Sequence, residues 1–329
     1  MATLTETSRK DQPHVSSTVV SPRAIYLSKA TLQGRRPHQE DRIFCCNLIK
    51  DSYSEFKVSC LNKCSRLSLF AVCDGHAGAK AAQYCCDNLI STFWQAASTI
   101  CALPGIIDLN NLDLLKPKLK SILELMVDLL DKSYLLRAKR TKEKDGSCIT
   151  AVLMLNNHAF FVNVGDCRSM RVNNGTITQI TRDHQPGLYK QEDKRVLDAG
   201  GKISDSRHNK RVLAKGMKMA ITRAIGDRLL KPSIIISKPD IFYVGVSQDL
   251  KFFILCSDGV TGRLTPRNIH DVLRKNNATN NIKCVNKEQH NVNSNKNSKV
   301  CINYAKEIVD LSYKKGSLDN ITALVLEFV

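Results

Sequence analysis

Strand-like apolar runs in this chain come in consecutive blocks, and the long helical patterns fall between the blocks. Runs bounded by turn residues predict strands over 24–32, 42–49, 67–73, 149–155, 158–164, 167–172, 218–223, 251–257 and 320–328. Asn173-Asn174-Gly175 marks a turn after one of them. Helical spacing follows Gly75, with Ala82, Cys85, Leu89 and Phe93 on one face. It recurs over 113–136, through Leu115, Leu119, Ile122, Met126 and Leu129. A third helix is predicted over 301–315, with Ile302, Ala305, Ile308 and Val309 inward and Lys314-Lys315-Gly316 at its end. One-for-one alternation would give a doubly wound parallel sheet. Grouped elements instead predict an α+β fold of antiparallel sheets covered by helices.

The 329 residues, 43% of them hydrophobic, suffice for one large core or two small ones. Residues 24–329 read as a single domain after a polar tail, 1–23, which lacks a hydrophobic signal core and carries Ala2 where myristoylation needs glycine. The Asn/Lys-rich stretch 274–300 has no periodicity and reads as a disordered insertion, because core-like elements resume after it. No apolar run approaches the ~18–20 residues that span a membrane. Thirteen cysteines, most in strand- or helix-like runs, suit a reduced protein of the cytoplasm or nucleus better than a disulfide framework. The net charge of +18 attracts anionic partners, but no helix-turn-helix, zinc-finger or aromatic-plus-basic pattern accompanies it. Nucleic acid is therefore not expected, and phosphorylated proteins are the other obvious anions.

The chemistry is written at strand ends. The run Ser68–Cys73 stops abruptly in Asp74-Gly75-His76, which in isolation is ordinary turn chemistry. Asp258-Gly259 ends another apolar run, Asp319-Asn320 precedes the last one, and Gly165-Asp166 turns between two more. Glu40-Asp41 opens a strand, with Arg36 four residues before Glu40. Clustered carboxylates repel unless a cation lies between them, and all-oxygen donors favour Mg²⁺ or Mn²⁺ over Zn²⁺. Two such ions would activate water and clamp a phosphoryl group, so the set suggests a phosphoester hydrolase.

These residues lie in an ordered series of motifs: GRRPHQEDR, FAVCDGHAG, GSCITAVL, VNVGDCRSMRV, ITRDHQP with AGGKI, MAITRAIGD, LKP, ILCSDG and SLDNITALVLE. The series resembles the metal-dependent protein serine/threonine phosphatases of type 2C, from Gly34 to Val329. The resemblance implies a four-layer α/β/β/α sandwich and an expected monomer acting on phosphorylated proteins with two Mn²⁺ or Mg²⁺ ions. It implies that Asp74 bridges both metals, the Gly75 carbonyl binds one, and Asp258 and Asp319 are ligands, with Glu40 and Asp41 beside them. Arg36 would grip the phosphate as a fork, although Arg35 is adjacent and only spacing separates the two. His76 would protonate the leaving oxygen, and the nucleophile would be water on the metals. Asp166 would help hold a third, weaker metal. Many relatives carry a further acid three residues after Gly259, where this chain has Gly262, so that third site is expected to bind loosely or not at all. Arg223 and Asp227 would form an internal ion pair supporting the site, and Asn320 would support it too.

The main rival reading is a catalytically silent relative that keeps the fold as a binding module. The retained Arg36, Asp74, His76, Asp258 and Asp319 weigh against it. Cys60 to Arg66 fits the bare Cys-x5-Arg spacing of cysteine phosphatases, but lacks the glycines that let backbone N–H groups surround a phosphate. His38 reads as an exposed loop residue, His158 as a turn residue and His184 as a loop-ordering one. Residues 186–217 read as a basic flap, with Arg207, Lys210 and Arg211 able to attract phosphopeptides.

Overall fold

The computed structural model describes residues 23–47, 61, 64–102, 111–206, 210–278 and 302–329. In chain order its elements begin with β1 (Ile25–Leu32), β2 (Arg42–Asn47), β3 (Leu67–His76), α1 (Lys80–Cys101) and α2 (Leu112–Thr141). Then come β4 (Gly146–Leu155), β5 (His158–Val164), β6 (Arg168–Asn173), β7 (Thr176–Gln179), α3 (Lys190–Asp198), β8 (Lys202–Ile203), β9 (Val212–Ala214) and β10 (Met217–Met219). The rest are β11 (Ile225–Gly226), β12 (Asp240–Gly245), β13 (Leu250–Cys256), α4 (Asp258–Thr261), α5 (Pro266–Ala278), α6 (Tyr304–Lys314) and β14 (Ile321–Phe328).

Two antiparallel sheets form the centre. One runs β1-β14-β13-β6-β7; the other runs β12-β5-β4-β3-β2, with β11 set against the start of β4. Strand periodicity explains why β3 reads as an unbroken apolar run. Leu69 and Ala71 face α1 and α2 and pack with Leu89, Phe93, Leu119 and Met126, while the alternating Phe70 and Val72 face the second sheet and pack with Phe253 and Leu324. On the outer face of the second sheet Ile254, Ala323 and Val325 pack with Ile269, Leu273 and Ile308 of α5 and α6. The order is helix, sheet, sheet, helix, the sandwich that the family resemblance implies and that agrees with the grouped elements. No helix among the described residues is long and apolar enough to cross a membrane.

Several predicted elements shift. β3 does not stop at Cys73: Asp74, Gly75 and His76 stay in register with Cys148, Ser147 and Gly146 of β4. The turn comes after them, at Ala77 and Gly78, both at positive φ. Of the strand predicted over 218–223 only Met217–Met219 pairs regularly, because Thr222 and Ala224 donate their N–H groups to the His184 and Ile236 carbonyls instead. The helix predicted over 301–315 is shorter, Tyr304–Lys314, with the Asn303 side chain capping the Lys306 N–H. α5 runs five residues into the segment predicted to be a disordered insertion, and residues 279–300 lie outside the described residues, as do 1–22 of the predicted tail. β8, β9 and β10 form a small three-stranded sheet between α3 and β11, a flap whose Val212, Met217 and Met219 pack with Val196 and Ile221.

Candidate active site

Five chain segments from both sheets converge at one end of the sandwich. β3 delivers Asp74, Gly75 and His76; the turn from β5 to β6 delivers Asp166; α4 opens with Asp258 straight after β13; Asp319 precedes β14; and Glu40 and Asp41 precede β2. Close backbone contacts hold these ends together. A Cβ on Gly75 would sit 2.6 Å from the Glu40 carbonyl oxygen, and one on Gly259 would sit 1.8 Å from that of Asn320. Asn320 staples the loop that carries Arg36. Its side-chain oxygen accepts from the Glu40 N–H at 2.8 Å, and its amide donates to the Gln33 and His38 carbonyls at 2.8 and 2.9 Å.

These segments enclose a cleft of ≈ 310 Å³ lined by Arg36, Glu40, Asp74, Gly75, His76, Asp166, Asp258 and Asp319. Cys148, whose thiol donates to Asp166 Oδ1 at 3.3 Å, and Lys218–Ile221 at the end of the flap line it as well. Carboxylate oxygens of Asp74, Asp166 and Asp258 lie within 4.8 Å of one another. Burial, and then the charges of Asp41, Asp258, Asp166 and Asp319, hold the Asp74 carboxyl well above the usual range. Burial and the neighbouring Asp166, Asp319 and Asp41 push Asp258 up to about 8. Asp41 is pushed up to about 6, chiefly by burial, against hydrogen bonds from Thr322 and Ser257 that favour its ionised form. Its Oδ2 accepts from the Ser257 hydroxyl at 2.9 Å, while Oδ1 is buried without a partner.

Such crowding of acids, with an orphaned carboxylate oxygen beside it, fits a hard divalent cation held by oxygen donors. Asp74, Asp166 and Asp258 form one cluster among the described residues, whereas Asp319 is drawn aside. Its Oδ2 accepts from Arg36 at 2.6 Å. That bond uses one guanidinium nitrogen, and the Arg36 side chain remains 51% exposed, so most of its donor fork is open to the cleft.

His76 sits on the neighbouring wall. Its Nε2 lies 2.9 and 3.0 Å from the two oxygens of Asp227, which is buried and at φ +52°. Burial alone would draw the imidazole pKa down, but the Asp227 carboxylate, helped by Asp166 and Glu40, raises it overall. A Cβ on Gly146 would fall 2.5 Å from both His76 Nε2 and Asp227 Oδ2, so only glycine leaves room for the pair. Asp227 is placed by its neighbours. Its N–H donates to the Asp145 carbonyl, and the Gly226 N–H donates to Asp131 at 2.8 Å.

The predicted ion pair between Arg223 and Asp227 does not form. Residues four apart on an extended chain lie roughly 13 Å from each other. Arg223 instead binds Glu192 and Asp240, and Asp227 binds His76. His184 is buried and orders the turn that carries Asp166. Its Nδ1 accepts from the Gly165 N–H at 3.0 Å, and its own N–H donates to the Gly165 carbonyl. Gln185, next in the chain, donates to Asp166 Oδ2 at 2.8 Å, a role that no periodicity signals. His38 is exposed, and His158 opens β5 with Nδ1 2.9 Å from the Tyr243 hydroxyl. Of the cations expected on the flap, Arg207 lies outside the described residues, and Lys210 and Arg211 do not line the cleft; Lys218, just past the expected flap, was not among them and lines it. Cys60 also lies outside the described residues, and Arg66 donates to the Arg23 carbonyl rather than into the cleft.

A fold of two stacked antiparallel sheets between helices, with acids gathered at one end, defines a class, and the family model of protein phosphatase 2C matches residues 27–321. The chain belongs to that family. Probable protein phosphatase 2C 59 of Arabidopsis thaliana is 29% identical over 264 residues, covering 80% of this chain and 70% of that protein. Probable protein phosphatase 2C member 13, mitochondrial, of Oryza sativa subsp. japonica is 28% identical over 262 residues, covering 80% of this chain but 60% of its own length. Among solved structures, serine-threonine phosphatase 2C from Toxoplasma gondii superposes with TM-score 0.73 at 18% identity, over 95% of this chain and 98% of that one. A C. elegans sex determining protein gives 0.70 at 21%, over 92% and 64%. At those identities the two structures speak for the fold.

Proposed function

We propose that this chain hydrolyses phosphoserine and phosphothreonine monoesters in proteins, with Mn²⁺ or Mg²⁺ as cofactor. The observation that carries the reading is one cleft lined by both the Asp74–Asp166–Asp258 cluster and His76, whose ring pairs with the buried Asp227 behind it. Asp74, Asp258 and the Gly75 carbonyl would hold a cation pair together with Asp319, Glu40 and Asp41. When bound, the cations supply Lewis-acid polarisation of the phosphoryl group and an acidified water. Arg36 binds phosphate oxygens through the guanidinium N–H groups that Asp319 leaves open. Asp227 fixes the His76 ring through Nε2 and favours its protonated form, whose Nδ1 proton is then available to the departing serine or threonine oxygen. Asp166, with Gly262 in place of an acid, would hold a third cation weakly.

The test is hydrolysis of a phosphothreonine peptide by the purified chain with Mn²⁺, Mg²⁺ or chelator in parallel. Hydrolysis is expected with either cation and abolished by chelator or by Asp74→Ala. His76→Ala is expected to lower kcat by ~10²–10⁴-fold. Absence of Mn²⁺-dependent turnover would favour a binding module that keeps the fold. Activity that resists chelator but dies on thiol alkylation would point to cysteine chemistry.

A further inference from the structure

Three basic side chains line the cleft, and two of them pair with carboxylates: Arg36, through one guanidinium nitrogen, with Asp319, and His76 with Asp227. The third, Lys218, is exposed and makes no ion pair or hydrogen bond with the described residues. Several lysines around it are tied down. Lys215 Nζ donates to the Leu229 carbonyl at 2.7 Å, Lys80 pairs with Glu143, and Lys231 pairs with Asp131. Lys218 stands in the middle of β10, in register with Leu213 of β9, and its neighbours Met217 and Met219 pack into the buried side of the flap. Below it the chain is anchored by the Thr222 N–H on the His184 carbonyl at 2.8 Å. An uncommitted ammonium is thus held on an anchored wall over a cleft that contains five carboxylates.

We infer that Lys218 selects substrates that carry an acidic side chain beside the phosphorylated residue. The inference rests on the phosphatase reading above and names the substrate class of that same site. Arg36 and the cations that the floor acids would hold account for the phosphate itself, so the charge on the flap is left for the peptide around it. An ammonium on a flexible stem is a point charge with three donors, suited to a carboxylate or a second phosphate without demanding a fixed geometry. Being exposed, the contact is worth about two- to fivefold in kcat/KM, carried in KM and weakened by salt.

The experiment compares three phosphothreonine peptides, flanked by glutamates, by alanines or by lysines, in Mn²⁺ at low and high salt. A fourth, flanked by phosphoserine, separates a second phosphate from a carboxylate as the preferred anion. Wild type is expected to prefer the glutamate peptide over the alanine peptide by about two- to fivefold through KM. In Lys218→Ala the ratio falls to about one, Lys218→Arg restores it, and Lys218→Glu turns the preference toward the lysine peptide. Lys202→Ala, an exposed flap lysine outside the cleft, keeps the ratio. Equal losses on glutamate and alanine peptides in Lys218→Ala would place the charge on the scissile phosphate and overturn the inference. So would an equal effect of Lys202→Ala, which would assign the preference to the general basic field. Wild type that hydrolyses every peptide with a ratio of one refutes Lys218 selection alone. Wild type that hydrolyses none refutes the phosphatase reading, and this inference with it.

Discussion

Replacing Asp131 by alanine is expected to cost both stability and turnover, although Asp131 lies outside the cleft. Asp131 and Lys231 form a buried pair, with side chains 7% and 5% exposed and Nζ 2.9 Å from Oδ2. The other carboxylate oxygen accepts the Gly226 N–H at 2.8 Å, one residue before Asp227. Truncation leaves the ammonium with only the Ala224 carbonyl, 2.7 Å away, and leaves the Gly226 N–H unpaired. Removing one partner of a buried pair costs about 3–5 kcal/mol. With a urea m-value of ~3 kcal/mol/M the midpoint should fall by roughly 1–2 M. Burial already lowers the Lys231 pKa, against the pull of Asp131, and without that carboxylate it falls further. A lysine whose folded pKa lies below its unfolded value binds fewer protons when folded, so stability rises with pH. The deficit of Asp131→Ala should therefore shrink between neutral and alkaline pH. The double variant Asp131→Leu with Lys231→Met, which removes both charges, should recover most of the loss. Urea melts across pH, with phosphatase assays on the folded fraction, check all three statements. A deficit below ~1 kcal/mol, or one indifferent to pH, would refute the claim that an unpaired buried charge causes it.

Three other outcomes follow from the same geometry. Asp227→Asn removes the carboxylate that raises the His76 pKa while its burial stays, so the alkaline limb of the pH–rate profile should move to lower pH. A limb that stays in place would remove His76 from the role of proton donor. Divalent cation binding should release protons and weaken as pH falls through about 8 and about 6, where Asp258 and Asp41 take up protons. Calorimetric titration in two buffers of different ionisation enthalpy measures that release directly, and identical apparent enthalpies would contradict it. Gly262 has φ −70°, so its backbone does not demand glycine, and an added Cβ would meet only the Asp258 carbonyl oxygen, 3.0 Å away. Gly262→Asp should lower the Mn²⁺ concentration needed for half-maximal activity, and an unchanged metal dependence would show that the missing acid is irrelevant.

The site's acids were legible because each sits at the end of an apolar run, and such runs announce themselves by composition. Asp74, Asp166, Asp258 and Asp319 were all placed at strand ends, and the cleft gathers them. Their partners were not legible, because proximity across the fold chooses them. Arg223 finds Glu192 and Asp240, 31 and 17 residues away, rather than Asp227 nearby. Glu192 lies on α3, where only Glu192 and Val196 are buried, so no apolar period reveals that helix. β12 is an edge strand with mostly half-buried residues and lacks the continuous run that exposes β4, all ten of whose residues are buried. Sequence pattern reports how deeply an element is buried. It does not report which loop crosses it.

The same limit applies to the charge of this chain. A net +18 suggested attraction to anions without saying where they bind, and the strand-end acids suggested cations without saying what faces them. The cleft separates the two by depth. The clustered carboxylates of Asp74, Asp166 and Asp258 form the floor, where burial pushes Asp258 to about 8 and makes them costly without a counter-ion. The exposed basic groups Arg36 and Lys218 lie along its walls, where water keeps their charge inexpensive. A dianionic phosphate entering this cleft meets cationic side chains first, and reaches the acidic floor only if cations already neutralise it. Chelation should therefore weaken phosphopeptide binding as well as turnover, because a bare acidic floor repels the phosphate that the walls attract. Peptide titration of the His76→Ala protein with and without Mn²⁺ measures this, and equal affinities in the two states would break the argument.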